Sequence, residues 1–181
     1  MIRPASSAER PRRGAQDGAT AVEFAMIAAP LFFIIMATLE LAMIFIVSTL
    51  MEGALSRAAR EIRTGQQQTA SAGQSADVSE ADFKEKVCDN MVFLAAHCRD
   101  HFYVDVRGGS FGDAGSAPDP VSDGEFNEDE LTFQPGGTGS IVLVRGFYEW
   151  PLFTPLMTQA LAKVGDSALL MSADTFRNEP F

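Results

Sequence analysis

Residues 18–51 read GATAVEFAMIAAPLFFIIMATLELAMIFIVSTLM. From Ala25 to Met51 this run holds one charge, Glu40, in 27 positions. About 20 helical residues cross a hydrocarbon core, so the run predicts a membrane-spanning helix. Its flanks decide what kind. Ahead of it lies an eighteen-residue polar segment with Arg3, Arg10, Arg12 and Arg13, and behind it come Glu52, Gly53, Arg57, Arg60 and Arg63. A secretory signal carries a small-residue cleavage site after its apolar core. No A-x-A-like site closes this run, so the helix is expected to be kept.

Gly18 stands at the mouth of the run and Glu23 follows five residues later. Gly18-Ala19-Thr20-Ala21-Val22-Glu23-Phe24 resembles the processing site of type IV pilin-like precursors, in particular those of the tight-adherence (Flp) branch. The resemblance implies that a prepilin peptidase cuts between Gly18 and Ala19 on the cytoplasmic side, leaving Glu23 as the fifth residue of the mature chain. The length, and the ending Phe176-Arg177-Asn178-Glu179-Pro180-Phe181, are similar to the TadE-like pseudopilins of that system rather than to its very short major pilin. A minor pseudopilin supporting pilus biogenesis, surface adherence and biofilm formation is the function so implied. The implied fold is α+β and pilin-like, one long N-terminal helix packed on a small antiparallel sheet. Implied partners are the prepilin peptidase, sibling pseudopilins, the pilus assembly platform and membrane lipid.

The same resemblance places Glu23 opposite the free amine of a neighbouring subunit, where a low local dielectric strengthens an ion pair. From the residues alone, a solvated carboxylate at a helix start, favoured by the helix dipole, is the competing reading. Pro30 removes a backbone donor and is expected to kink the helix or free a carbonyl, a flexible point for a subunit moving from bilayer to fibre. Glu40 is decided by magnitude, since a carboxylate at mid-bilayer costs about 3 kcal/mol or more. A span starting at Glu23 ends near Met43 after about 20 residues, which puts Glu40 within a turn of the outer surface. A role in subunit contacts is the alternative for Glu40.

One exported domain of modest size fits 181 residues, and nothing repeats at a fixed period. The net charge of -10 hides a split: residues 1–18 carry four arginines against Glu9 and Asp17, and without them the chain stands at -12. That acidity argues against nucleic acid as a partner. Arginines on both sides of the span lean only slightly toward a cytoplasmic N-terminus. Cys88 and Cys98, the only two cysteines, fall in the part to be exported and suit an oxidising periplasm. The expected placement is single-pass in the bacterial inner membrane, N-terminus cytoplasmic and C-terminal domain periplasmic, with incorporation into the pilus left open.

Along the chain, residues 1–18 read as a disordered leader, 19–64 as the long helix with its span at about 23–43, and 65–181 as the periplasmic domain. Beyond the span, Met51, Leu55, Ala58, Ala59 and Ile62 recur at helical spacing and need a sheet or helix to cover them. Thr64-Gly65 ends the helix, and Gln66 to Ser79 reads as a solvated linker. Ser79-Glu80-Ala81-Asp82 has the spacing of a helix start, and Phe83, Val87, Met91 and Leu94 carry a second helix to near His97. Phe102 to Arg107 alternates, with Phe102, Val104 and Val106 on one face. Ser140 to Trp150 fits a central strand, Pro155 to Lys163 a short helix, and Ser167 to Arg177 a third strand. The insertion 108–139 reads as a mobile acidic loop with Asp113, Asp119, Asp123, Glu125, Glu128, Asp129 and Glu130. It lacks the D-x-D-x-D-G pattern that would make calcium the leading reading.

Cys88 and Cys98 would close an 11-residue ring joining the second helix to the first strand, worth a little under ~3 kcal/mol by loop entropy. A zinc set with His97 and His101 competes, without the paired short-knuckle spacing. Gly108 to Asp113 lacks the lysine of a phosphate loop and reads as a turn. No G-x-S-x-G is present, and no catalytic residue, metal ligand or cofactor is assigned. Phe147, Tyr148, Trp150 and Phe153 form an aromatic patch for core packing or, alternatively, subunit contact. Two rivals remain: a signal-anchored periplasmic enzyme or ligand-binding protein, and a pseudopilin of another secretion system.

Overall fold

A computed structural model describes residues 14–65, 79–112 and 116–180. Residues 1–13 of the expected leader, 66–78 of the expected linker, and Asp113 lie outside the described residues. The chain divides into two units, one up to Leu39 and one from Glu40 onward.

The first unit is the N-terminal part of helix α1, Gly14–Arg63. Residues 14–18, the end of the expected leader, belong to this helix. They follow the last proline of the N-terminal segment and adjoin a long helix, where each added residue gains a hydrogen bond without a new nucleus. Pro30 lies inside the helix. Its ring removes the donor that would reach the Met26 carbonyl, and the helix continues through it. Val22, Phe24, Met26, Ile27, Phe32 and their apolar neighbours are exposed.

The second unit opens with the remainder of α1. Gly65, at φ 65°, stops the helix, with Gly65 N–H donating to the Ile62 carbonyl and Thr64 N–H to that of Arg60. Helix α2, Glu80–Asn90, starts on the Ser79 hydroxyl, which accepts the Asp82 N–H at 3.1 Å. The expected single helix to His97 is broken: α2 ends at Asn90, a 3-10 turn spans Val92–Leu94, and α3 covers Ala95–His101. Val92 sits at φ 54°, a conformation that β-branched residues rarely adopt and that no sequence period announces.

The strands are β1, Phe102–Gly109; β2, Val121–Ser122; β3, Glu125–Phe126; β4, Phe133–Gln134; β5, Ile141–Pro151; and β6, Ser167–Arg177. Helix α4, Pro155–Leu161, connects β5 to β6. The main sheet has the order β4-β1-β5-β6, with β2 and β3 forming a separate hairpin. Its long strands pair antiparallel, and the short β4 adds to β1 in parallel. The architecture is thus α+β, with a long apolar N-terminal helix leading into a small sheet domain.

The inner face follows from register. Phe102 pairs with Tyr148, Val104 with Gly146 and Val106 with Val144. These residues meet the apolar stripe of α1, Val47, Met51, Leu55, Ala58, Ala59 and Ile62, together with Phe83, Val87 and Met91. Helix and sheet approach closely at Gly146, where a Cβ would lie 2.9 Å from a Phe102 ring carbon and 3.3 Å from Leu55 Cδ1. Both neighbours are buried, so neither can swing into solvent. Gly146→Ala is expected to destabilise the domain by about 1–3 kcal/mol through overpacking, read as a lower midpoint in chemical unfolding of the detergent-solubilised chain.

Candidate functional site

At the start of α1, Gly18, Ala19 and Glu23 are helical and exposed. No heavy atom lies within 4 Å of the place a Gly18 Cβ would take, and the residue does not have a positive φ. Glycine costs a helix about 1 kcal/mol relative to alanine, and neither packing nor backbone geometry requires it here. Gly18–Arg63 is long and apolar enough to cross a membrane.

Glu40 has a different setting. It is only 6% exposed, and its carboxylate accepts the backbone N–H of Phe153 and, at 3.2 and 3.4 Å, that of Thr154. Thr154 is the N-cap of α4 but its own side chain makes no capping bond, so Glu40 satisfies donors that a helix start leaves open. The residues concerned are 113 and 114 positions apart, which is why local sequence reading cannot pair them.

The Cys88–Cys98 disulfide is present. It joins α2 to α3 rather than to β1, because the chain makes another helical turn before entering the sheet. Bonded to each other, the two sulfurs leave the zinc set without its thiolates. His97 lies over the same region, its Nδ1 2.7 Å from the Tyr148 hydroxyl and its ring stacked on His101 at 4.2 Å between centroids. Burial lowers the His97 pKa, the nearby His101 lowers it further, and Asp100 opposes both. Burial pushes Tyr148 up to about 12, so its hydroxyl keeps its proton to donate to neutral His97.

The sign of the resulting pH dependence follows from linkage. An unfolded histidine ionises near 6.5 (about that value in model peptides) and the folded one lower, so the unfolded chain binds more protons in between. The stabilisation is complete above the unfolded value and is lost as pH falls through the folded one. The thermal midpoint of the oxidised protein should therefore drop between about pH 7.5 and about pH 5. His97→Gln should flatten that drop in the same melting series.

On the outer face of the sheet, Asp105 of β1 pairs with Arg145 of β5. An alternating strand read from sequence turns Asp105 toward solvent; it is instead fully buried. Arg145 Nε and Nη2 reach Asp105 Oδ2 at 2.9 and 2.7 Å, Arg107 Nε reaches both carboxylate oxygens at 3.0 and 3.1 Å, and the Thr132 N–H donates to Oδ1 at 2.9 Å. The two arginines then reach outward, Arg145 to the Pro118 carbonyl and Arg107 to that of Glu130. The described part of the insertion expected to be a mobile acidic loop is thereby laid across the sheet, with β4 paired to β1. Phe126 packs on Tyr103 and Phe147 beneath it. The aromatic patch read from sequence is split: Tyr148 and Trp150 are buried on the inner face, Phe147 under the insertion, and Phe153 is exposed.

A cleft of about 520 Å³ opens between the insertion and β6, lined by Arg145, Phe147, Lys163, Leu169, Met171 and Asp119. Arg145 is already engaged there by Asp105, and Asp119 accepts the Val121 N–H at 3.0 Å. Asp105→Asn removes the charge that compensates buried Arg145. The expected cost is about 3–5 kcal/mol, seen as a fall in unfolding free energy together with faster proteolysis of residues 116–139.

No curated protein and no solved structure matches the chain. The family described as TadE-like protein matches residues 18–60, a stretch that starts at Gly18, contains Glu23, Pro30 and Glu40, and ends one turn before α1 does. That stretch, the apolar helix and its amphipathic continuation, is where the chain is similar to TadE-like proteins.

Proposed function

We propose that this chain is a minor pseudopilin of a tight-adherence (Flp-type) pilus assembly system, held in the inner membrane by α1 with the domain from residue 65 onward in the periplasm. The observation that carries this reading is the TadE-like match beginning at the glycine itself. Gly18 has no packing role, which favours an outside agent, a prepilin peptidase, as the reason for it. Glu23, five positions on, is exposed and suited to register a subunit against the new amine of its neighbour. Pro30 and Glu40 complete the set assigned to subunit assembly, Pro30 by loosening the span and Glu40 by fixing the height at which the β5–α4 connection meets α1. Supporting partners are sibling pseudopilins, the assembly platform and membrane lipid; the outcome is assembly of a fibre that mediates adherence.

The rival from another class, an anchored periplasmic enzyme or binding protein, draws on the outer-face cleft. It requires no cut at Gly18, and neither it nor a pseudopilin of another secretion system accounts for the TadE-like match. In a host carrying the peptidase, unsubstituted chain should lose residues 1–18 and begin at Ala19. Gly18→Ala should accumulate at full length while Gly14→Ala matures normally. Equal gel mobility of all three, with Met1 as the N-terminus, overturns the proposal.

A further inference from the structure

The connection that follows β5 is apolar and exposed, and it lies at a defined height on α1. From Trp150 to Ala162 the sequence WPLFTPLMTQALA carries no charge. Phe153 is 73% exposed and Leu156 62%. Both residues flank the backbone that Glu40 holds, because the Glu40 carboxylate accepts the N–H groups of Phe153 and Thr154. The connection is therefore fixed beside residue 40 and cannot slide along the helix without giving up those bonds.

Residue 40 also lies close to the outer boundary of the span, within a turn of its expected end near Met43. Glu23 and Glu40 are separated by about 26 Å of helix, while the hydrocarbon core is about 30 Å thick. A span entered at Glu23 is thus still within the leaflet at residue 40. Leu41, Met43, Phe45 and Ile46 continue the apolar run on α1 and are exposed as well. The apolar surface of the connection is continuous in depth with this last stretch of the span.

We infer that Phe153 and Leu156 dip into the outer leaflet at the boundary between headgroups and acyl chains, so that the β5–α4 connection is a second, interfacial membrane contact of the domain. The inference rests on the membrane-spanning reading of α1. The chemistry fits: interfacial elements bury aromatic and leucine side chains a short way below the headgroups. The carboxylate that this depth would penalise is sheltered from lipid and given two backbone donors. The first charges on either side, Glu149 and Lys163, stand clear of the connection.

The test uses the full chain reconstituted in phosphatidylcholine vesicles whose acyl chains carry bromine just below the headgroup. Trp150 is the only tryptophan and is buried, so unsubstituted protein supplies the background. Phe153→Trp should lose most of its added emission to the bromines. Phe111→Trp, beyond the far end of β1, should lose none, and Phe32→Trp, inside the span, should be quenched by bromines placed deeper. If Phe32→Trp is quenched and Phe153→Trp is not, the interfacial contact is refuted while the span stands. If neither is quenched, the membrane reading itself fails and the inference with it. Phe153→Trp emission that is blue-shifted, unquenched and dependent on protein-to-lipid ratio assigns the surface to a second copy of the chain and overturns the proposal.

Discussion

A carboxylate within an apolar helix has to be neutralised, solvated or given donors, and in this protein Glu40 is given donors by the chain itself. The two N–H groups it accepts belong to Phe153 and Thr154, at the start of α4. Such a start has unsatisfied N–H groups by construction, and Thr154 leaves its own capping role unfilled. One interaction thereby resolves two deficits, each of which would cost more alone. It also sets the height at which a connection between two strands meets the long helix.

The sheet solves a second problem, that of two faces needing cover from one chain. The inner face is covered by α1, and the approach is close because Gly146 offers no side chain where Leu55 and Phe102 meet. The outer face is covered by the insertion between β1 and β5, held through Asp105. A buried acid with two arginines and a backbone N–H is a geometry in which each remaining polar group has a partner. Removing Asp105 leaves the largely buried Arg145 charge uncompensated. The carboxylates of the insertion's six described acids between Asp119 and Glu130 take no part in this node, which holds the insertion through the Pro118 and Glu130 carbonyls.

Periodicity exposed the elements whose partners are many and interchangeable. Met51, Leu55, Ala58, Ala59 and Ile62 were readable as a stripe because any apolar cover satisfies them, and all are buried. Phe102, Val104 and Val106 were readable for the same reason, and the disulfide was readable because only two cysteines exist. What stayed hidden were contacts with a single partner far away in sequence: Glu40 with residues 153 and 154, and Asp105 with Arg145, 40 residues on. Asp105 occupied a polar position in an alternating strand, which reads as solvent whether or not an insertion lies over it. The sequence signal was Arg145 itself, a basic residue in the middle of the mostly apolar central strand, which asks for an acid opposite. The break at Val92 had no signal, since a β-branched residue is a poor guess for a positive φ.

The C-terminal residues show how a short ending can matter to a fold without contributing a core side chain. Asn178 is buried, its side-chain amide donating to the carbonyls of Pro135 and Gly137 and its backbone N–H to that of Ser140. Next to it, the Glu179 N–H donates to the Arg63 carbonyl, and its carboxylate lies 3.2 Å from Arg63 Nε. The ending therefore ties the turn before β5 to the last residue of α1. An apolar residue at 178 could fill the space but would give up the side-chain bonds to the Pro135 and Gly137 carbonyls. The constraint on position 178 is thus a hydrogen-bonding one, which explains why a polar residue stands at the end of an apolar-alternating strand where packing alone would favour valine or isoleucine.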